Sequence, residues 1–291
     1  MTVKDYYYQH FEELGPEKKF HFATRMKNYF KTHDFDRYLA DNRPSDNLAE
    51  VLNNNDFSKV SNYILRKPFF EKYDGVYGVE ATLFRVHHLL AEYNFDTRTN
   101  FLELYPQDSL YKLADDLMRD EEALRILSTW AVNVIYLTEE LFPRGKNVIR
   151  ELSEWALRLD TKTCDPTLMS YLCTHIVLCE SSFYKKNLLE SPNLKILRKL
   201  IEKDAAVVRD NIETISLDAA IEFLVCCNMT GLDYPEIRAA ISKICKGFKK
   251  DSPYLINYRR AKSPDSHLRT LSGAEHINVL YIMSGLDADN Y

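Results

Sequence analysis

Apolar residues recur at intervals of three and four along most of the chain, which is the spacing of one face of an α-helix. Around Leu194–Ile201 and Ile237–Phe248 the opposite positions are charged, which predicts helices covered on one side only. Tyr171–Cys179 and Ile221–Cys227 are apolar on most sides and predict helices enclosed by neighbours. The sequence therefore predicts an all-α protein with no sheet, in which inner helices alternate with one-sided outer helices.

Prolines mark three expected helix starts. Asp165-Pro166, Ser191-Pro192 and Asp233-Tyr234-Pro235 each place a capping side chain at or near a proline. The fixed φ and the missing N–H of proline suit the first helical turn. We expect one helix to begin at each of these positions.

One inner segment recurs near the end of the chain. Leu217–Asp233 aligns with Leu271–Asp287, so that Glu222 corresponds to His276, 54 residues later. A similar segment places His175 at 47 residues before Glu222. Repeats of this length indicate arrays of helical hairpins, because a single hairpin cannot bury its apolar face alone.

This pattern resembles the α/α-toroid and helical-solenoid superfolds over roughly residues 80–291. The resemblance implies antiparallel helical hairpins, open as a solenoid or closed as a toroid, whose inner helices line a concave or central surface. Enzyme families on that scaffold carry an Asp-rich metal motif or a Cys-Cys-His zinc set, and this sequence contains neither. We expect a helical N-terminal cap at residues 1–76, packed on a hairpin array at residues 77–291.

Composition and charge reduce the classes of partner that we expect. The formal net charge of -5, from 38 basic and 43 acidic side chains, gives no field that would attract nucleic acid. The sequence shows no secretory segment and no apolar run of about 18–20 residues, so we expect a soluble, cytoplasmic protein without a membrane partner. Its six cysteines lack the short paired spacings of zinc sites and are predicted to be buried, reduced thiols.

Ionisable residues on the inner helices form the candidate site. If these helices align as described, His175, Glu222 and His276 occupy one column at corresponding depths. Two imidazoles and a carboxylate could act as acid and base or bind a divalent metal, although no motif indicates a cofactor. Alternatively, each is a buried polar residue satisfied by its neighbours, or a ligand contact without chemistry.

Seven further residues are candidate ligand contacts: Asn133, Tyr136, Asn278, Glu275, Tyr258, Arg259 and Arg260. Asn133 and Tyr136 share a helix face that is turned either to solvent or to a cavity. For Glu275 we favour a capping box in Ser272-Gly-Ala-Glu275 over a role in a site. Tyr258 and the two arginines lie in the irregular stretch 251–269, which is a lid, a clamp for an anionic ligand or a plain connector.

The leading hypothesis is a binding protein that uses its concave inner-helix surface for a peptide, a protein segment or a small molecule. The alternative is an enzyme with a His/Glu site, metal-assisted or not, in a central cavity, although the common enzyme signatures are absent. A third hypothesis is a regulator with a helical sensor domain. It requires a helix-turn-helix in the first 70 residues, and we find no convincing one.

Overall fold

A computed structural model describes residues 1–54, 56–58, 60, 62–263 and 265–288. Within these ranges the chain forms 16 α-helices and no strand, which confirms the predicted all-α fold. In chain order the helices are α1 (Val3–Gln9), α2 (Pro16–Phe30), α3 (Asp36–Asp41), α4 (Leu48–Leu52), α5 (Tyr63–Lys72), α6 (Val76–Tyr93), α7 (Arg98–Leu104), α8 (Gln107–Arg119), α9 (Glu121–Leu127), α10 (Thr129–Leu141), α11 (Val148–Arg158), α12 (Pro166–Glu180), α13 (Leu194–Asp210), α14 (Leu217–Thr230), α15 (Pro235–Phe248) and α16 (Glu275–Met283). None of the helices in these ranges is long and apolar enough to cross a membrane.

The helices are divided between two compact units. Unit 1 comprises Met1–Asn42 and Glu180–Tyr291, and unit 2 comprises Arg43–Cys179. The predicted cap at residues 1–76 therefore contributes to both units. Its capping role stays a prediction, as does the arrangement of the hairpins as a solenoid or toroid.

Unit 1 is organised around α14. This helix packs against α13, α15 and α16, and α16 packs in turn against α1 and α2. Every residue of α14 from Leu217 to Cys227 is buried, because the sequence there is apolar on nearly all sides. The neighbouring α15 buries only Ile237, Ile241 and Cys245, one residue per turn. The predicted contrast between inner and outer helices is confirmed for these segments.

Unit 2 is organised around α10 in the same way. This helix packs against α6, α8, α9 and α11, and its residues from Ala131 to Glu139 are all buried. The adjacent α8 buries a single stripe that includes Leu110, Leu113 and Leu117. An enclosed helix beside one-sided helices is therefore the local plan of both units.

Two of the three predicted helix starts are confirmed. The helix α12 begins at Pro166 and α15 begins at Pro235. The helix α13 begins at Leu194, two residues beyond its proline, and before it the Ser191 hydroxyl accepts a hydrogen bond from the Asn193 N–H at 2.9 Å. This local bond holds the residues before α13 in a turn, so helical backbone starts later than predicted.

All six cysteines are buried and form no disulfide, as predicted. Burial raises the pKa of the Cys245 thiol to about 12. The pKa of the Cys227 thiol is also raised, chiefly by burial. Protonated, buried thiols of this kind act as small packing residues rather than as nucleophiles.

Candidate functional site

The three ionisable residues of the predicted column are divided between the two units. His175 lies on α12 in unit 2, whereas Glu222 on α14 and His276 on α16 lie in unit 1. Glu222 is buried, His175 is half-buried and His276 is exposed. Among the residues described, no group of three or more His, Cys, Asp or Glu side chains is arranged to hold a metal ion. The polar neighbourhood of each unit is therefore described separately.

Unit 1 contains a pocket at the start of α16, which we call the α16 pocket. Its volume is about 270 Å³, and its walls come from α2, α14, the first turn of α16 and the stretch between α15 and α16. The polar residues that line it are Lys18, Asp218, Asn257, Arg260, His267 and His276. Two of the predicted site residues, Arg260 and His276, therefore meet at this pocket.

The stretch between α15 and α16 is fixed against α16 at two points. The buried Asn278 side chain accepts a hydrogen bond from Leu255 N at 2.8 Å and donates one to Leu255 O at 2.9 Å. A Cβ atom at Gly273 would lie 1.9 Å from the His267 carbonyl oxygen, so this close approach requires glycine. Asn278, which the sequence suggested as a ligand contact, thus positions a pocket wall. Residue 264 of the stretch lies outside the described residues.

The predicted residues of that stretch have different surroundings. Arg260 Nη1 lies 3.3 Å from Asp218 Oδ2 in the α16 pocket, and the Arg260 side chain is 53% exposed. Arg259 pairs instead with the exposed Glu213 carboxylate at 3.5 Å. Tyr258 is half-buried and packs against α15. Only Arg260 of the three is among the polar residues described at the pocket.

Glu275 begins α16, but its carboxylate turns away from the helix cap. The side chain is fully buried, with Oε1 2.7 Å from His21 Nδ1 and Oε2 3.7 Å from Lys18 Nζ. Burial opposes ionisation, but the interaction with His21 outweighs it and the pKa of Glu275 is lowered. The predicted capping box is wrong: α16 has no side-chain cap, and the Ser272 hydroxyl accepts from Gly15 N at 2.8 Å.

His276 lies beside the contact between His21 and Glu275, with its ring centroid 5.6 Å from that of His21. Partial removal from water, followed by the neighbouring His21, lowers the pKa of His276, although Asp218 and Glu275 act in the opposite direction. The imidazole is therefore neutral at neutral pH and can both donate and accept a hydrogen bond at the pocket. Arg25 Nε donates to His21 Nε2 at 3.3 Å and extends the polar network along α2.

In unit 2, Asn133 joins three helices through the Asn133 cluster, which consists of Glu80, Asn133 and His175. Asn133 Nδ2 donates to Glu80 Oε1 on α6 at 2.8 Å. Its Oδ1 accepts from His175 Nδ1 on α12 at 3.3 Å. Burial raises the pKa of Glu80 to about 7, against the opposing effect of the Asn133 hydrogen bond. Tyr136, the other predicted contact on α10, is buried.

The sequence analysis did not identify Glu80, Lys18 or His21. Glu80 precedes Asn133 by 53 residues, close to the 54-residue spacing of the aligned inner segments, and that spacing is the signal that could have found it. No local pattern marks the residues of α2, because His21 contacts Glu275 across 254 positions of the chain.

Comparisons with protein-family models, with curated proteins and with solved structures give no match. The interpretation of the α16 pocket and of the Asn133 cluster therefore rests on their own geometry and charge.

Proposed function

We propose that the chain is a binding protein whose α16 pocket takes a small ligand with a carboxylate or phosphate group. The observation that supports this is the convergence of Lys18 and Arg260 on one pocket of about 270 Å³. This narrows the leading sequence hypothesis, which also included peptides and protein segments.

The charges at the α16 pocket favour an anion. Lys18 and Arg260 are cationic, and their side chains are 40% and 53% exposed, so both can reach a ligand. The acidic Asp218 is already engaged by Arg260 and by the Ser216 hydroxyl. The first turn of α16 adds the positive end of a helix dipole, which favours negative groups. An anionic ligand would therefore gain charge-assisted hydrogen bonds.

The pocket volume favours a small molecule over a peptide. Ligand pockets usually enclose about 300–1,000 Å³, and a volume of about 270 Å³ lies just below that range. The neutral His276 can fix the orientation of a bound acid through one hydrogen bond without adding charge. A compact acid with few rotatable bonds fits these features better than a chain segment.

An enzymatic role is the second candidate, and the exposed position of His276 at the α16 pocket favours it. An imidazole that is unprotonated at neutral pH can accept a proton from a ligand in the pocket. In this hypothesis His276 is the base, because of the three predicted catalytic residues it is the one among the residues described at the pocket. His276→Ala would then abolish turnover of the bound acid while leaving its binding largely intact.

Calorimetric titration with acetate, succinate and inorganic phosphate tests the binding proposal. We expect at least one of these probes to bind the wild-type protein. Arg260→Ala and Lys18→Ala should each weaken that binding by about tenfold or more, because a lost charge-assisted hydrogen bond costs about 1.5–3 kcal/mol and about 1.4 kcal/mol corresponds to a factor of ten.

Lys262→Ala is the matched control, because Lys262 is exposed on the same stretch and lies outside the pocket lining formed by the described residues. Wild-type affinity in this control, together with weaker binding in the two pocket variants, supports the proposal. Failure of all three probes to bind, or unchanged affinity in both pocket variants, contradicts it.

A further inference from the structure

Unit 1 contains a second pocket, which we call the Met229 pocket, where α2 and α14 end. Its volume is about 380 Å³, within the range of about 300–1,000 Å³ that is usual for ligand sites. Tyr29 of this pocket and Lys18 of the α16 pocket are 11 residues apart on α2, which corresponds to about 16 Å along the helix. The two pockets share none of the residues described in their walls, so they are separate sites.

The walls of the Met229 pocket combine apolar side chains with cations. The apolar part includes the half-buried Met229, the buried Leu188 and Leu189, which is 54% exposed. Among the described lining residues the charged ones are Lys31 and Lys186, and both are exposed. A ligand bound here would meet positive charge and would cover apolar surface that faces water. This combination favours an anion with an apolar body.

The Lys31 ammonium group is held at the Met229 pocket by backbone carbonyls. Its Nζ donates hydrogen bonds to the carbonyl oxygens of Tyr184, at 3.1 Å, and of Lys185, at 2.8 Å. Neutral carbonyl groups orient an ammonium group but do not cancel its charge. A carboxylate in the pocket can therefore form a charge-assisted hydrogen bond with a cation that is already in place.

The turn that supplies these carbonyls has an unusual backbone. Three consecutive residues are left-handed, with φ of 49° at Ser182, 55° at Phe183 and 76° at Tyr184. This conformation is unfavourable for residues with a Cβ atom, and it is held here by hydrogen bonds from Tyr184 N to Ser181 Oγ, at 2.9 Å, and from Lys186 N to Ser181 O, at 2.8 Å. Such strain is concentrated at ligand sites, where surrounding contacts fix it. Tyr184 also lines the pocket, so the turn fixes one of its walls.

Two tyrosines of the Met229 pocket favour an aromatic ligand. The rings of Tyr29 and Tyr184 meet edge to face, with their centroids 5.9 Å apart. The Tyr29 hydroxyl accepts a hydrogen bond from Asn228 Nδ2 at 3.4 Å, and among the described residues its own hydrogen has no acceptor. That hydrogen is available to an anionic ligand. A bound aromatic ring would gain edge or offset contacts with tyrosine and a contact with the Met229 sulfur.

We propose that the Met229 pocket binds a small aromatic carboxylic acid, with its ring against Met229 and Tyr29 and its carboxylate on Lys31. This ligand differs from the one proposed for the α16 pocket, whose described lining contains six polar residues and favours a compact polar acid. The proposal does not depend on the function of the α16 pocket, because the two sites use different side chains.

The methyl group of Met229 provides a direct measurement of binding by NMR. In protein with isotope-labelled methionine methyl groups, Met229→Leu and Met118→Leu each identify one signal by its loss. Phenylacetate should shift the Met229 signal saturably and leave the signal of Met118, which lies in unit 2, unchanged. The uncharged 2-phenylethanol should bind about tenfold more weakly, because it lacks the charge-assisted hydrogen bond. Cyclohexylacetate, which keeps the carboxylate but has no aromatic ring, should bind about threefold more weakly.

A matched pair of variants tests the charge requirement without altering the core. Leu189→Asp and Leu189→Asn introduce side chains of similar size at an exposed position of the pocket wall, and only the first adds a negative charge. Phenylacetate should bind Leu189→Asp about fivefold more weakly than Leu189→Asn, because the two negative charges repel each other. Arg260→Ala changes the α16 pocket and should leave the affinity measured at Met229 unchanged.

Five results would overturn this proposal. They are an unshifted Met229 signal, equal affinity for phenylacetate and 2-phenylethanol, equal affinity for phenylacetate and cyclohexylacetate, equal affinity of Leu189→Asp and Leu189→Asn, and weaker binding at Met229 in Arg260→Ala.

Discussion

Units 1 and 2 each contain a glutamate with polar neighbours, and the pKa values of the two carboxyl groups shift in opposite directions. Glu275 in unit 1 faces His21 and Lys18, and its pKa is lowered in spite of complete burial. Glu80 in unit 2 faces the amide of Asn133, and burial raises its pKa to about 7. Burial disfavours the charged form of both, so the neighbours decide the outcome. The imidazole and ammonium groups beside Glu275 outweigh its burial, whereas the single amide beside Glu80 does not.

The same contrast concerns the cations around each carboxyl group. In unit 1, Lys18 Nζ lies 3.7 Å from Glu275 Oε2 and also borders the α16 pocket. In unit 2, no Lys or Arg among the described residues forms an ion pair with Glu80. An anion bound in the α16 pocket would therefore share Lys18 with Glu275.

The largest effect on stability is expected where the hydrogen bond between His21 and Glu275 is broken. His21→Ala removes the partner 2.7 Å from a fully buried carboxylate and should lower the free energy of unfolding by about 3 kcal/mol, because the 40%-exposed Lys18, 3.7 Å away, compensates the buried charge less well. Urea denaturation measures this loss. His33→Ala is the control, because His33 also pairs with a carboxylate, Asp36, but is 89% exposed. Equal stability of the two variants would show that His21 does not hold Glu275 in its charged form.

A smaller loss is expected from Asn133→Ala in unit 2. The variant leaves the Glu80 carboxylate without its amide donor and should cost about 2 kcal/mol in the free energy of unfolding. It should also raise the pKa of Glu80 further, since that hydrogen bond lowers it. Urea denaturation gives the first quantity, with the exposed Asn53→Ala as control. A loss no greater than in the control would remove Asn133 as the residue that links the helices.

The helices of both units could be predicted because burial on a helix leaves a local signature. The run from Leu217 to Cys227 is apolar on most sides, and the structure buries all of it. The start of α13 was misplaced by two residues, because Ser191 and the residues after it form a local turn that competes with helix at the same sequence. The spacing of apolar residues does not distinguish such a turn from the first residues of a helix, so a helix start predicted from it can differ by one or two residues from the structure.

Partners of the site residues could not be predicted in the same way. The sequence Ser272-Gly-Ala-Glu275 has the letters of a capping box, yet the Glu275 carboxylate binds His21, 254 positions away along the chain. The buried cationic neighbourhood supplied by α2 is a tertiary feature with no local signature. Glu80 is different, because its spacing from Asn133 is close to that of the aligned inner segments and could have been used.

The pH dependence of stability tests the comparison between Glu80 and Glu275, because it depends on the pKa of Glu80 in the folded chain. The ordinary pKa of a glutamate is 4.5 and that of Glu80 in the folded chain is about 7, so between these values the folded state holds the extra proton. The stability of wild type relative to Glu80→Gln should therefore fall as pH rises from about 4.5 to about 7. After allowance for solvent screening of a half-buried group, the change is about 1 kcal/mol.

Urea denaturation of both proteins across this pH range measures the difference directly. Residues such as Glu275 contribute equally to both curves and cancel in the comparison. The control is Glu122→Gln, which should run parallel to wild type because Glu122 is exposed. Parallel curves for wild type and Glu80→Gln would mean that Glu80 titrates alike in the folded and unfolded chain, and the contrast with Glu275 would be lost.

The smallest effect on stability is expected at the Arg260 and Asp218 pair of the α16 pocket. The Arg260 side chain is 53% exposed, and Asp218 keeps the Ser216 hydroxyl as a donor when the arginine is removed. Arg260→Ala should therefore lower the free energy of unfolding by less than about 1 kcal/mol, the usual limit for exposed ion pairs. Urea denaturation of Arg260→Ala, with Lys262→Ala as the control, measures this loss.

A loss of stability above about 2 kcal/mol in Arg260→Ala would show that Arg260 supports the pocket wall, because an exposed ion pair cannot account for so large a loss. Weaker anion binding in the variant would then reflect a disrupted wall, and Arg260→Lys, which keeps the charge, would have to separate the two roles.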